Sequence, residues 1–109
     1  MATSAEIRAL AMALPAVEEA PHFETASFRV RGKILATLGS DTVTLKLPVL
    51  IQESLCESDP QFVELPAHWS RYGWTTITLA GFDLERLGDL VAVAWRQVAP
   101  KALLKSGAG

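Results

Sequence analysis

Four basic side chains, Arg29, Arg31, Lys33 and Lys46, fall between residues 26 and 48, where Asp41 is the only acid. The whole chain has 10 Lys and Arg against 12 Asp and Glu, a net charge of −2, so this stretch is a positive patch on a mildly acidic background. A strongly basic nucleic-acid binder is thereby excluded at the level of the chain but not of this patch. Guanidinium forks match phosphate oxygens, and an indole offers a stacking surface for a base. A second dense segment is Trp69-Ser70-Arg71-Tyr72-Gly73-Trp74. Aromatics around one Arg suit the lip of a pocket, where Arg71 would hold an anion or partner, or the capped end of a core.

Other chemistries find little support. His22, Glu24 and His68 are enough ligands for a metal, but they lack dense ligand spacing, and His22-x-Glu24 has no downstream Pro-Cys-x-x-Cys of the zinc deaminases. No metal and no cofactor are expected. Cys56 stands beside Glu57 and near Asp59, and acidic neighbours disfavour a reactive thiolate. Ser70 is in no nucleophile elbow, and the seven glycines are scattered rather than gathered into a phosphate loop. A non-enzyme is expected. One cysteine allows no internal disulfide, and no apolar run approaches the ~18 residues of a membrane span. The N-terminus lacks the basic start of a signal peptide, so the cytoplasm is the expected compartment and no membrane partner is expected.

The elements that must position these groups read as follows. Thr3 and Glu6 have capping-box spacing, and Ile7, Leu10, Ala11 and Leu14 follow on one helical face that Pro15 ends. Residues 16–25, with Glu18, Glu19, Glu24 and Pro21, read as a loop. Phe28 and Val30 alternate with Arg29 and Arg31, and Gly32 suggests a tight reversal into Ile34–Leu38. Val43, Leu45 and Leu47 alternate with Thr42, Thr44 and Lys46, giving a three-strand meander. Pro48 opens a short helix over Val49–Cys56, Phe62–Leu65 is a short strand, Pro66–Gly73 a loop, and Trp74–Leu79 a Thr-rich strand. Asp83 caps a long helix whose stripe is Leu84, Leu87, Val91, Ala94, Trp95 and Val98, stopped by Pro100. Lys101–Lys105 could add one further turn, and the tail beyond Ser106 is expected to fray.

With 109 residues and 50% hydrophobic composition, the chain is one domain (1–109) with one core. The expected class is α+β: a two-layer sandwich with an antiparallel sheet of about five strands and the terminal helices on one face. The other face is left to water or a partner. If Phe28 and Val30 face the helices, parity puts Arg29 and Arg31 on the open face with Thr42, Thr44, Lys46, Trp74, Thr76 and Thr78.

Three blocks are familiar together: Leu14-Pro15-Ala16-Val17-Glu18-Glu19, then Phe28-Arg29-Val30-Arg31-Gly32-Lys33, then Ala94-Trp95-Arg96-Gln97-Val98-Ala99-Pro100-Lys101. In combination they resemble the MmcQ/YjbR family of small bacterial proteins, over essentially the whole chain. That resemblance implies a frataxin/CyaY-like α+β sandwich and a DNA-binding role, with Arg29, Arg31 and Lys33 on a wing-like hairpin. The loop around residues 66–74 departs from the family's usual pattern, and the first helix has only Glu6 as an acid, too little for an iron-binding ridge.

The expected function is non-catalytic, regulatory DNA binding by Arg29, Arg31, Lys33, Lys46 and Trp74, weak and salt-dependent, with a homodimer doubling the patch. The alternative is a small-ligand or protein-binding module built on the 68–74 loop, with Trp69, Arg71 and Tyr72 as its contacts.

Overall fold

The computed structural model describes residues 3–22 and 25–100. Glu24, the side chains of His22 and His68, and the extra turn expected over Lys101–Lys105 lie outside the described residues.

Helix α1 (Ser4–Met12) opens on the capping box the spacing predicts: Thr3 Oγ1 accepts from Glu6 N at 3.2 Å, and Glu6 Oε1 accepts from Thr3 N at 3.1 Å. Both contacts satisfy amides that the first helical turn leaves unpaired. Its Ile7 and Ala11 are buried and Leu10 partly so. Strands β1 (Val17–His22), β2 (Thr25–Val30), β3 (Lys33–Leu38) and β4 (Thr42–Lys46) follow as a meander. Then come α2 (Val49–Ser58), β5 (Phe62–Glu64), the single turn α3 (Ala67–Ser70), β6 (Trp74–Thr78) and α4 (Leu84–Val98).

The sheet has six antiparallel strands in the order β1-β2-β3-β4-β6-β5. The sixth is β1, which lies where the sequence reads as a loop. Proline and paired glutamates argue against a central strand, but β1 is an edge, where both are tolerated and discourage pairing with another chain. Val17 of this strand joins the core, and Glu19 reaches α1 through a two-pronged contact with Arg8, at 2.7 and 3.1 Å. That hydrogen-bonded guanidinium holds the Glu19 carboxyl below its ordinary range.

Helices α1 and α4 cover one face of the sheet, α4 against β3 and β4, α1 against α4 and β1. Asp83 caps α4, accepting from Arg86 N at 2.8 Å. Leu87, Leu90, Val91, Ala94, Trp95 and Val98 form its buried stripe. They pack on Phe28, Val30, Val43, Leu45 and Ile77, all with no exposed surface. The expected two-layer α+β architecture is thus what the chain adopts.

Two positions depart from the sequence reading in ways that matter for the open face. The β2–β3 reversal is a two-residue turn, Arg31-Gly32, with φ of +49° and +84°. Positive φ at both central residues is the hairpin turn that matches strand twist, and it favours Asn-Gly over Arg-Gly. Arg31 pays for a left-handed backbone that its side chain disfavours. Arg31→Asn is therefore expected to stabilise the protein by about 0.5–1 kcal/mol, read as a higher urea midpoint at unchanged slope. An unchanged or lower midpoint would refute the turn argument. The second departure is a bulge. Phe28 pairs with Ala36 but Arg29 pairs with Ile34, so Leu35 is an extra residue on β3. Leu35 and Ala36 are consequently both buried, and Ile34 turns to the opposite face.

Candidate functional site

The uncovered sheet face is assembled from registers that the backbone fixes. One row crosses all six strands: Ala20, Ser27, Thr37, Thr44, Thr76 and Val63. Four of these carry hydroxyls, and directly opposed residues share a face. Thr44 Oγ1 and Thr76 Oγ1 form a hydrogen bond of 2.9 Å across β4 and β6. Ser27 is buried; its Oγ donates to Ala20 O at 2.9 Å and accepts from Arg29 Nε at 2.9 Å.

Beside this row lie Glu18, Arg29 and Ile34 on one half and Lys46 and Trp74 on the other. Arg29 is half-buried and a second guanidinium nitrogen reaches Pro21 O at 3.5 Å, so part of its donor fork is spent inside the sheet. Its partner across the β1–β2 ladder is Glu18, an opposite charge on the same face. Lys46 Nζ stands 6.0 Å from the centre of the Trp74 ring.

The predicted basic cluster is not held together. Arg29 and Lys46 occupy the open face as parity implies. Arg31 does not: it is in the turn rather than on the strand, because the reversal uses it as its first central residue. Lys33 pairs with Val30, whose side chain is in the core, so its register belongs to the helix-covered face and it reaches solvent at the sheet's end.

The aromatic segment is divided as well. Leu65 and Trp69, which flank the start of α3, come over the open face and form a cleft of about 210 Å³ with Ile34, Thr37, Thr44 and Trp74. Arg71 and Tyr72 do not line it. They lie in the turn after α3, with the Arg71 guanidinium 5.0 Å from the Tyr72 ring. Trp69 therefore joins Trp74, not Arg71 and Tyr72. Trp74, expected on the open face, is joined there by Trp69, expected among the contacts of the 68–74 module.

Trp74 is fixed from three sides. Its strand register pairs it with Lys46. The buried Gln52 of α2 donates from Nε2 to Trp74 O at 3.0 Å. The preceding Gly73 accepts from Leu47 N at 2.9 Å, tying the end of β4 to the start of β6. Trp69, by contrast, stands 51% exposed on a single helical turn.

Ile34, Thr37 and Leu65 are cleft residues that sequence reasoning did not assign. Thr37 alternates with Ala36 and Leu38, which is a usable period-two signal. Ile34 offers none, since its facing depends on the bulge.

A family model for YjbR matches residues 12–97 of the chain. The chain belongs to the YjbR family. The match runs from the end of α1 to the last turn of α4, so it includes the whole sheet and the cleft. Among solved structures, the chain is similar to the crystal structure of Deinococcus radiodurans protein DR2400, which carries a DUF419 domain. The TM-score is 0.81 at 26% sequence identity, over 96% of this chain and 87% of that one. No curated protein matches the chain.

Among the described residues, no group of three or more His, Cys, Asp and Glu side chains could hold a metal ion, and no helix is long and apolar enough to cross a membrane.

Proposed function

We propose that this YjbR-family chain is a non-catalytic nucleic-acid-binding protein that uses the open face of its sheet. The observation that supports this reading is the grouping on one uncovered face of a cross-strand hydroxyl row, the cations Arg29 and Lys46, and a cleft lined by two tryptophans. Hydroxyls and cations suit phosphate and sugar, and indoles suit bases. Two cations make a weak site, since phosphate neutralisation dominates such affinities.

The register assigns each base a separate expectation. Arg29 and Lys46 together are expected to give a slope of log K against log salt near −2 on duplex DNA, about −0.9 per phosphate contact. Arg29→Gln with Lys46→Gln should flatten that slope and weaken all sequences alike. Arg31→Gln with Lys33→Gln should leave it near the parent value, because neither belongs to the face. Fluorescence anisotropy of a labelled oligonucleotide over a salt series measures both. Salt-independent binding, or a slope lost with the Arg31 and Lys33 pair instead, would overturn the assignment of the face.

A further inference from the structure

We propose that the cleft between the Leu65–Trp69 segment and the sheet takes one unpaired base of a single strand, so that the open face prefers single-stranded nucleic acid over duplex. This rests on the open face binding nucleic acid at all, and it names the form that binds.

The cleft has the chemistry of a base-sized slot. Its lining is mostly apolar, from Ile34, Leu65, Trp69 and Trp74, with Thr37 and Thr44 as the hydroxyls of its sheet floor. A flat group that is apolar on its faces and polar on its edges suits this lining, and a nucleobase is such a group. The floor can also meet a base edge. In the Thr44–Thr76 hydrogen bond one hydroxyl spends its proton on the other. The accepting hydroxyl keeps its own proton and lone pairs remain on both, so the pair still offers a donor and acceptors.

Charge favours a strand over a neutral planar molecule. Lys46 Nζ stands 6.0 Å from the ring centre of Trp74, which lines the cleft, and Arg29, opposite Glu18, shares the face. No acidic residue lines the cleft, although the chain is acidic overall. A phosphate next to a base seated on Trp74 would meet Lys46. In a duplex the base faces are covered by their neighbours and the edges are paired, so entry requires unstacking. The half-exposed indole of Trp69 is the part of the slot that an occupant would cover.

The test titrates the intact chain with a labelled oligothymidine strand, a labelled mixed-sequence duplex of equal length, and free thymidine monophosphate. Anisotropy reports the first two and tryptophan fluorescence the third. The strand should bind at least roughly tenfold tighter than the duplex, the range that one base stacked on an aromatic ring supplies. Trp69→Ala should abolish the strand's advantage, bringing the ratio of strand to duplex affinity to about one, and Trp69→Phe should retain most of that advantage. Trp69 is exposed, so circular dichroism of these variants should match the parent. Equal strand and duplex affinity in the parent, or a Trp69→Ala loss shared by both, overturns the base slot but leaves nucleic-acid binding standing. Free nucleotide binding as tightly as the strand overturns it in favour of a small-ligand site. Failure of strand and duplex alike overturns the slot and the proposed function together.

Discussion

Trp95→Ala is expected to lower the unfolding free energy by about 3–5 kcal/mol, a large part of what a domain of this size has. Trp95 is 1% exposed and is the largest fully buried side chain among the described residues. It lies on the buried stripe of α4, against the core face of the sheet. Its indole also donates from Nε1 to Pro15 O at 2.9 Å, joining the C-terminal helix to the segment that follows α1. Alanine would therefore open a cavity and remove the partner of the Pro15 carbonyl in one step. Trp95→Phe separates the two effects. It keeps most of the ring volume and should cost about 1–2 kcal/mol, the scale of one lost hydrogen bond with partial repacking. Urea denaturation followed by far-ultraviolet circular dichroism reads both variants. A loss below about 1 kcal/mol for Trp95→Ala would contradict the role of α4 as the main cover of the sheet.

Gly73→Ala is expected to be of similar size although it adds a single methyl group. Gly73 has φ of +91°, and a Cβ built there would lie 1.8 Å from Leu47 O and 3.0 Å from Leu47 C. The obstacle is backbone that cannot swing away, because Leu47 N donates to Gly73 O at 2.9 Å and Lys46 pairs with Trp74 one step further on. Left-handed strain of about 1–2 kcal/mol and a comparable or larger packing cost bring the total to at least about 3 kcal/mol. Gly32→Ala is the control. Its φ is +84°, but nothing stands within 4 Å of the added Cβ, so only the conformational cost applies. A urea midpoint for Gly73→Ala equal to that of Gly32→Ala would refute the argument from close approach. Because Gly73 sets the start of β6, folded Gly73→Ala should also show altered Trp74 fluorescence, whereas Gly32→Ala should not.

What the sequence alone determined is local and periodic. The capping box of Thr3 and Glu6, the Asp83 cap and the stripe through Leu87, Val91 and Trp95 each depend on residues within a turn or two of one another. So does the alternation of Val43, Leu45 and Leu47 with Thr42, Thr44 and Lys46, and all three apolar members are buried. These patterns were enough to place the terminal helices, α1 and α4, on one face of the sheet. The neighbours in space decided the rest. Val17–His22 becomes a strand because β2 offers it a ladder, which its own glutamates and proline do not announce. One extra residue, Leu35, turns Ile34 to the open face, since strand facing has a period of two and each single-residue shift reverses it. Arg31 and Lys33 leave the basic face for a related reason: the two-residue turn and its register, not parity along β2, set where they stand. The cleft joins residues from β3, β4, β6 and the Leu65–Trp69 segment, more than thirty positions apart at its extremes. Spacing along a chain carries no signal for such a site, because the distances that make it exist only after the strands have paired.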